Sequence, residues 1–254
     1  MSAIYEPKGA AGEYSALACN LYRGCGHGCR YCYAPACLRM AAAEFGQPAP
    51  RPGILAALRQ DAFAFRGDPR EVLLCFTCDP YQPIEQEWKL TRQALGIFAA
   101  NQIRPRVLTK NPLAAMLRDT DVLGAAKATI GTTLAWTSAD DCRAWETHAP
   151  SPAQRIEGLR LARQAGLRTW LSIEPVIDPL QALDVLLAVG REVDEVKIGK
   201  MNHNPEVERA VDWTAFCRKA VAIARAGPAA WYIKNDLWKF ADIKTRAFGQ
   251  RSAP

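Results

Sequence analysis

Short apolar runs, each the length of a strand, recur along this 254-residue chain at 17–22, 72–77, 107–110, 128–134, 169–173 and 195–199, with helical stretches between them. That alternation leaves few folds open. Neighbouring parallel strands need a crossover of a dozen or more residues, and a helix is the usual crossover. The expected class is therefore α/β with a parallel sheet, and the length suits a single barrel-sized domain. Two of the helices carry clear start and stop residues. Ser151-Pro152 reads as N-cap and first-turn proline with Gly166 closing, and Asp178-Pro179 opens a second helix that ends near Gly190. The stretch 84–100 places Ile84, Trp88, Leu95 and Phe98 near one helical face. A last strand-like piece lies at 231–233.

Directly after the first of these runs comes Arg23-Gly24-Cys25-Gly26-His27-Gly28-Cys29-Arg30-Tyr31-Cys32-Tyr33. The cysteines are spaced C-x3-C-x2-C. Three thiolates this close can bind three irons of a [4Fe–4S] cluster and leave the fourth iron open to a ligand. A structural zinc site that recruits Cys19 or Cys37 as fourth ligand is the competing reading. Such sites usually come as two separated pairs, and the only other C-x2-C pair is Cys75 and Cys78, at the end of an apolar run.

The C-x3-C-x-aromatic-C pattern resembles that of the radical S-adenosylmethionine (SAM) enzymes. The resemblance implies a partial (β/α)6 TIM-type barrel, a [4Fe–4S] cluster on Cys25, Cys29 and Cys32, and SAM as cofactor, cleaved to a 5′-deoxyadenosyl radical that takes hydrogen from a substrate. The segments 24–33, Thr77-Cys78-Asp79-Pro80-Tyr81-Gln82-Pro83 and Thr109-Lys110 are similar to the spore photoproduct lyase branch, with similarity over roughly 14–202. By that likeness Tyr31 lies against the SAM adenine. Thr77, with Cys78 and Asp79, holds the amino group, Lys110 contacts SAM, and Thr132 or Thr133 reaches its carboxylate or ribose. One departure stands out. Where the lyase has a hydrogen-donating cysteine this chain has Phe76, flanked by Cys75 and Cys78. Cys78 and Tyr33 are the remaining candidates for hydrogen or radical transfer. Glu174, with Lys197 or Lys200, is the candidate substrate-side acid–base pair.

The formal net charge of +6 fits a nucleic acid or another anionic partner, and equally an ordinary basic enzyme. Trp231, Tyr232 and Trp238 with Lys234 and Lys239 could stack on bases or form a packed edge. No apolar run reaches the length of a membrane span, and the N-terminus has no signal-peptide core, so the expected location is the reducing cytoplasm. Expected organisation is an N-terminal surface arm over 1–14, a barrel over 15–228 and a C-terminal segment, 229–254, packed on it. The expected reaction is modification or isomerisation of a thymine-derived base in DNA by a monomeric enzyme, reduced by a flavodoxin or ferredoxin. Chemistry on a small molecule or peptide is the alternative, and a non-enzymatic iron–sulfur or zinc-bearing binding module is a third reading.

Overall fold

Seven strands lie side by side and all run the same way: β1 (Leu17–Cys19), β2 (Val72–Leu74), β3 (Pro105–Leu108), β4 (Thr129–Thr133), β5 (Arg168–Val176), β6 (Glu195–Lys200) and β7 (Ala230–Ile233). Their spatial order is their chain order. The computed structural model describes residues 2–227 and 229–242. A barrel of strand–helix units follows, and it carries one strand more than the six expected. The piece at 231–233 does not merely pack on the barrel: as part of β7 it pairs with β6 from Glu195↔Ala230 to Ile198↔Ile233. The rest of the C-terminal segment from 243 lies outside the described residues.

Two helix boundaries read from the sequence are built as expected. Ser151 caps the helix Pro152–Gln164 in a full capping box with Gln154, and Gly166 follows with φ of 76°. The Asp178 carboxylate accepts the first N–H groups of the helix Pro179–Ala188. The stretch 84–100 differs. It is two helices, Glu85–Trp88 and Leu90–Ala100, broken where Lys89 turns left-handed at φ 49°. Leu95 and Phe98 are buried as expected, while Trp88 is exposed. The first run also divides. Tyr22–Arg23 leaves the sheet and pairs antiparallel with Ala49–Pro50.

Alternation along each strand sorts side chains between two cores. Leu17, Leu74, Val107 and Ile130 on one side, with Leu171, Ile173, Val196 and Ile198 further round, face the helices. Ala18, Leu73 and Trp170 face inward and meet Tyr14. Trp170 is the central filler: its indole N–H donates to the Val107 carbonyl at 3.0 Å, and the Arg106 guanidinium lies 4.1 Å above its ring. Arg106 in turn pairs with Glu71 at 3.2 Å and Glu195 at 2.9 Å, which makes a charged floor to the barrel.

The N-terminal segment is not a surface arm. Ala3 and Ile4 are buried, and Tyr5 exchanges two backbone hydrogen bonds with Ala18 along the free edge of β1. Further on, the Glu13 carboxylate accepts from the Tyr232 hydroxyl at 2.9 Å and the Asn235 N–H at 2.8 Å. Lys197 donates to the carbonyls of Glu13 and Tyr14 at 2.7 and 3.0 Å. The segment thus runs along the seam between β1 and β7, which no ladder joins among the described residues.

Gly131 on β4 has no room for a side chain, because a Cβ there would lie 2.3 Å from the Trp170 ring. Gly131→Ala is expected to lower the unfolding free energy by roughly 1–3 kcal/mol through overpacking, read as a fall in the urea midpoint at unchanged slope.

Candidate active site

The carboxyl ends of the strands surround a cavity of about 320 Å³. That is within the size range of small-molecule sites, and it is at the end of a parallel barrel where such sites form. Cys25, Cys29 and Cys32 line one wall, on the loop that follows β1. The loop is shaped by its glycines and held from three sides. Gly24 and Gly28 take φ of 85° and 66°, a region costly for other residues. The Cys25 N–H donates to the Phe45 carbonyl at 2.9 Å. The Gln82 side chain accepts from the Gly26 N–H at 2.9 Å and donates to the Gly24 carbonyl at 3.3 Å. On the far side the Arg30 N–H donates to Trp145 and the His148 N–H to His27.

His27, between two of the cysteines, is a structural clasp. It is buried, and its Nε2 lies 3.2 Å from Asp79 Oδ2. Asp79 also accepts from the Thr109 hydroxyl at 2.6 Å, the Lys110 N–H at 2.7 Å and the Tyr81 N–H at 2.8 Å. Burial alone would raise its carboxyl, but His27 and these donors outweigh burial and hold it at about 2. Asp79 lines the cavity, yet its oxygens are spent on joining the cysteine loop to the ends of β2 and β3. A carboxylate so engaged positions the site rather than offering itself to a ligand.

A second buried carboxylate, Glu146, was not anticipated. It follows the helix Ala139–Trp145, pairs with Arg155, and accepts from the Tyr31 hydroxyl. Burial would raise it, but Lys110 and Arg155 bring it below the usual carboxylate range. The Lys110 ammonium lies 5.5 Å from the Tyr31 ring centre. Burial would lower the Lys110 ammonium, while Cys29 and Glu146 raise it above the ordinary lysine range. Cys29 is itself pushed up to about 11, by burial first and against the pull of Lys110. Tyr31 therefore reaches the cavity fixed in orientation by its hydroxyl, with the Lys110 ammonium beside its ring.

Thr77 and Thr133 line the cavity as well, and Asn20 sets the backbone beside Thr77 by accepting from the Phe76 and Thr77 N–H groups at 2.8 and 2.9 Å. Thr132 does not: it points the other way along β4 and donates to the Thr109 carbonyl at 2.7 Å. Cys78 and Tyr33 both line the cavity, and Tyr33 donates to the Phe76 carbonyl at 2.8 Å. Cys75 and Phe76 both reach it too, although strand alternation would send them to opposite faces. The chain has already left β2 at Leu74, so strand alternation no longer applies.

Glu174 also lines the cavity, but not with the expected lysine. Its Oε1 is 2.8 Å from Lys234 Nζ, and its other oxygen accepts from the Tyr14 hydroxyl. Lys197 points inward one layer lower, level with Ser172 in the pairing register, and ties down the N-terminal seam instead of lining the cavity. Lys200 lines the cavity and pairs with Glu208 at 2.9 Å. Trp231 and Tyr232 are buried in the fold, which removes them as a stacking platform. No three His, Cys, Asp or Glu side chains converge on one point among the described residues. The three thiols share one short loop and one cavity wall, and that soft donor set suits an iron–sulfur cluster better than an oxygen-preferring ion.

No protein-family model matches the chain. An uncharacterized protein of Mycobacterium tuberculosis strain H37Rv is 29% identical over 181 residues, covering 66% of this chain and 53% of that protein. An uncharacterized protein of Methanocaldococcus jannaschii is 27% identical over 173 residues, 67% of this chain and 63% of its own length. The chain thus spans about half the length of the mycobacterial relative. Among solved structures, spore photoproduct lyase complexed with dinucleoside spore photoproduct superposes with a TM-score of 0.61 at 15% identity, over 91% of this chain and 78% of that one. Streptococcus suis SuiB bound to S-adenosylmethionine gives 0.58 at 10% identity, over 91% and 52%. At these identities the likeness is one of fold.

Asp79 gives a measurable stability term. Its carboxyl is depressed from 3.8 to about 2, so the stabilisation is whole above pH 4 and is lost as pH falls towards 2. Asp79→Asn is expected to cost about 2 kcal/mol at neutral pH, and the gap to wild type should narrow below pH 4 in urea titrations.

Proposed function

We propose that this chain, built on the radical SAM fold of spore photoproduct lyase, is a radical SAM enzyme that acts on a thymine-derived base in nucleic acid. One observation carries the enzyme reading. Cys25, Cys29 and Cys32 share a cavity wall at the open end of the barrel, with Tyr31, Thr77, Lys110 and Thr133 around the same cavity. In this reading the three cysteines hold a [4Fe–4S] cluster. When bound, cluster and SAM would together supply one-electron cleavage of SAM and a 5′-deoxyadenosyl radical able to remove hydrogen from a substrate.

The chain's own part is position and shielding. Tyr31, fixed by Glu146 through its hydroxyl, offers a ring face for an adenine. Lys110 offers a cation to a carboxylate, and Thr77 and Thr133 offer hydroxyls. Asp79 and His27 keep the cysteine loop registered against β2 and β3. Thr132 drops out of the cofactor set, and Lys197 out of the catalytic set, for the geometric reasons given above. On the substrate side stand Glu174, Lys234, Tyr33, Cys78 and Phe76. The nucleic-acid substrate is supported by the net charge of +6 and by the dinucleoside ligand of the lyase neighbour. Phe76 at the position of the lyase's hydrogen donor favours modification or isomerisation over dimer repair.

Anaerobic reconstitution with iron and sulfide is expected to give a brown protein that forms 5′-deoxyadenosine from SAM upon reduction. Cys29→Ala should abolish both the colour and the product, and a variant that still cleaves SAM would sink the cluster assignment. Deuterium should pass from deuterated DNA into 5′-deoxyadenosine more readily than from free nucleosides. Uptake from nucleosides alone would move the substrate to the small-molecule class. DNA affinity should also fall steeply between 50 and 200 mM salt, following counterion release.

A further inference from the structure

Glu174 and Lys234 form a largely buried ion pair that lines the cavity. The carboxylate is set with care. Tyr14 holds one oxygen, Lys234 holds the other at 2.8 Å, and the Tyr14 hydroxyl is braced by Ser172 at 3.1 Å. Gly199 lies directly behind it, where a Cβ would come within 2.6 Å of the carboxylate carbon. These contacts use two of the roughly four acceptor positions of a carboxylate, and the ammonium has three protons to place. Two flat rings, Phe76 and Tyr14, stand edge to face at 5.9 Å beside the pair, and Phe76 lines the cavity.

We propose that the Glu174–Lys234 pair is a base-reading device that recognises the imide edge, an N–H beside a C=O, of an uncharged ring such as thymine or uracil. The inference rests on the nucleic-acid reading above and specifies it. A carboxylate oxygen accepts the ring N–H while the adjacent ammonium donates to the ring carbonyl, so both bonds form with the ion pair intact. The pair is neutral in sum and largely shielded from bulk solvent, with side-chain exposures of 15% and 6%. A zwitterionic amino acid would have to shed the water around two charges to enter, whereas a neutral ring would not. A ring methylated at the imide nitrogen has no N–H to give the carboxylate and cannot make the paired contact, whereas a cytosine-type ring can make it only in a shifted pose, through its amino N–H and the neighbouring ring nitrogen. Phe76 supplies an apolar face for the ring.

The test is equilibrium binding of short single-stranded oligonucleotides to the reconstituted protein with SAM, left unreduced. The oligonucleotides carry one central thymine, 3-methylthymine or cytosine. The expected result is at least about tenfold tighter binding of thymine than of 3-methylthymine, since losing one hydrogen bond in a buried site costs about that much. In Glu174→Met and in Gly199→Ala, which displaces the carboxylate without removing it, the preference should fall to within about twofold. Equal binding of thymine and 3-methylthymine by wild type overturns the inference, with the nucleic-acid reading left standing. So does a thymine preference that survives in Gly199→Ala. Failure of all three oligonucleotides to bind, or their displacement by a free amino acid, overturns the substrate class itself.

Discussion

One carboxylate, Asp79, connects the parts of this site that lie far apart in the chain. It takes hydrogen bonds from the end of β3 through Thr109 and Lys110, from its own turn through Tyr81, and it meets His27 between two of the cysteines. A buried carboxylate is costly unless its oxygens are well paired, and here they are. The arrangement therefore works in one geometry only. Shift the cysteine loop or the β3 end by an ångström and a buried charge loses partners. That penalty keeps the thiols and Lys110 on one side of a single cavity.

The cavity divides into two electrostatic halves. On the cysteine side Glu146 gathers Arg155, Lys110 and Tyr31. On the other side Glu174 gathers Lys234 and Tyr14. Each half sets an acid beside a phenol and basic side chains: Glu174 and Lys234 balance one to one, while the cysteine half holds two bases, Arg155 and Lys110, to the one acid Glu146, with Lys110 also beside Cys29. The halves differ in what they adjoin. The first abuts the thiols, and the second adjoins Phe76 and the loop after β6.

Much of this was legible in the sequence because the relevant signals are local. Apolar runs placed the strands, Ser151 and Asp178 placed helix starts, and the cysteine spacing placed the loop. The misses are long-range or a matter of register. Thr132 and Thr133 look alike until the pleat sends one to the cavity and the other to the helices. Lys197 and Lys234 both point inward but differ by a layer in height. Glu146 and Arg155 sit in ordinary polar sequence, and only the fold brings them to Tyr31. Tyr14 lies in a segment with no strand or helix pattern, and its partner Glu174 is 160 residues away.

The seam between β1 and β7 has a bearing on how the molecule is made. Glu174 is met by Tyr14 from near the start of the chain and by Lys234 from near its end, and Glu13 reaches Tyr232 across 219 positions. Contacts of such sequence separation close late, after the loop-closure entropy of nearly the whole chain has been met. During synthesis the cysteine loop, β2 and β3 can assemble while Glu174 still lacks its base, Lys234. The thiol-bearing half would therefore mature before the half that holds Glu174, and the emerging chain would pass through a stage with a formed cysteine loop and an unfinished cavity.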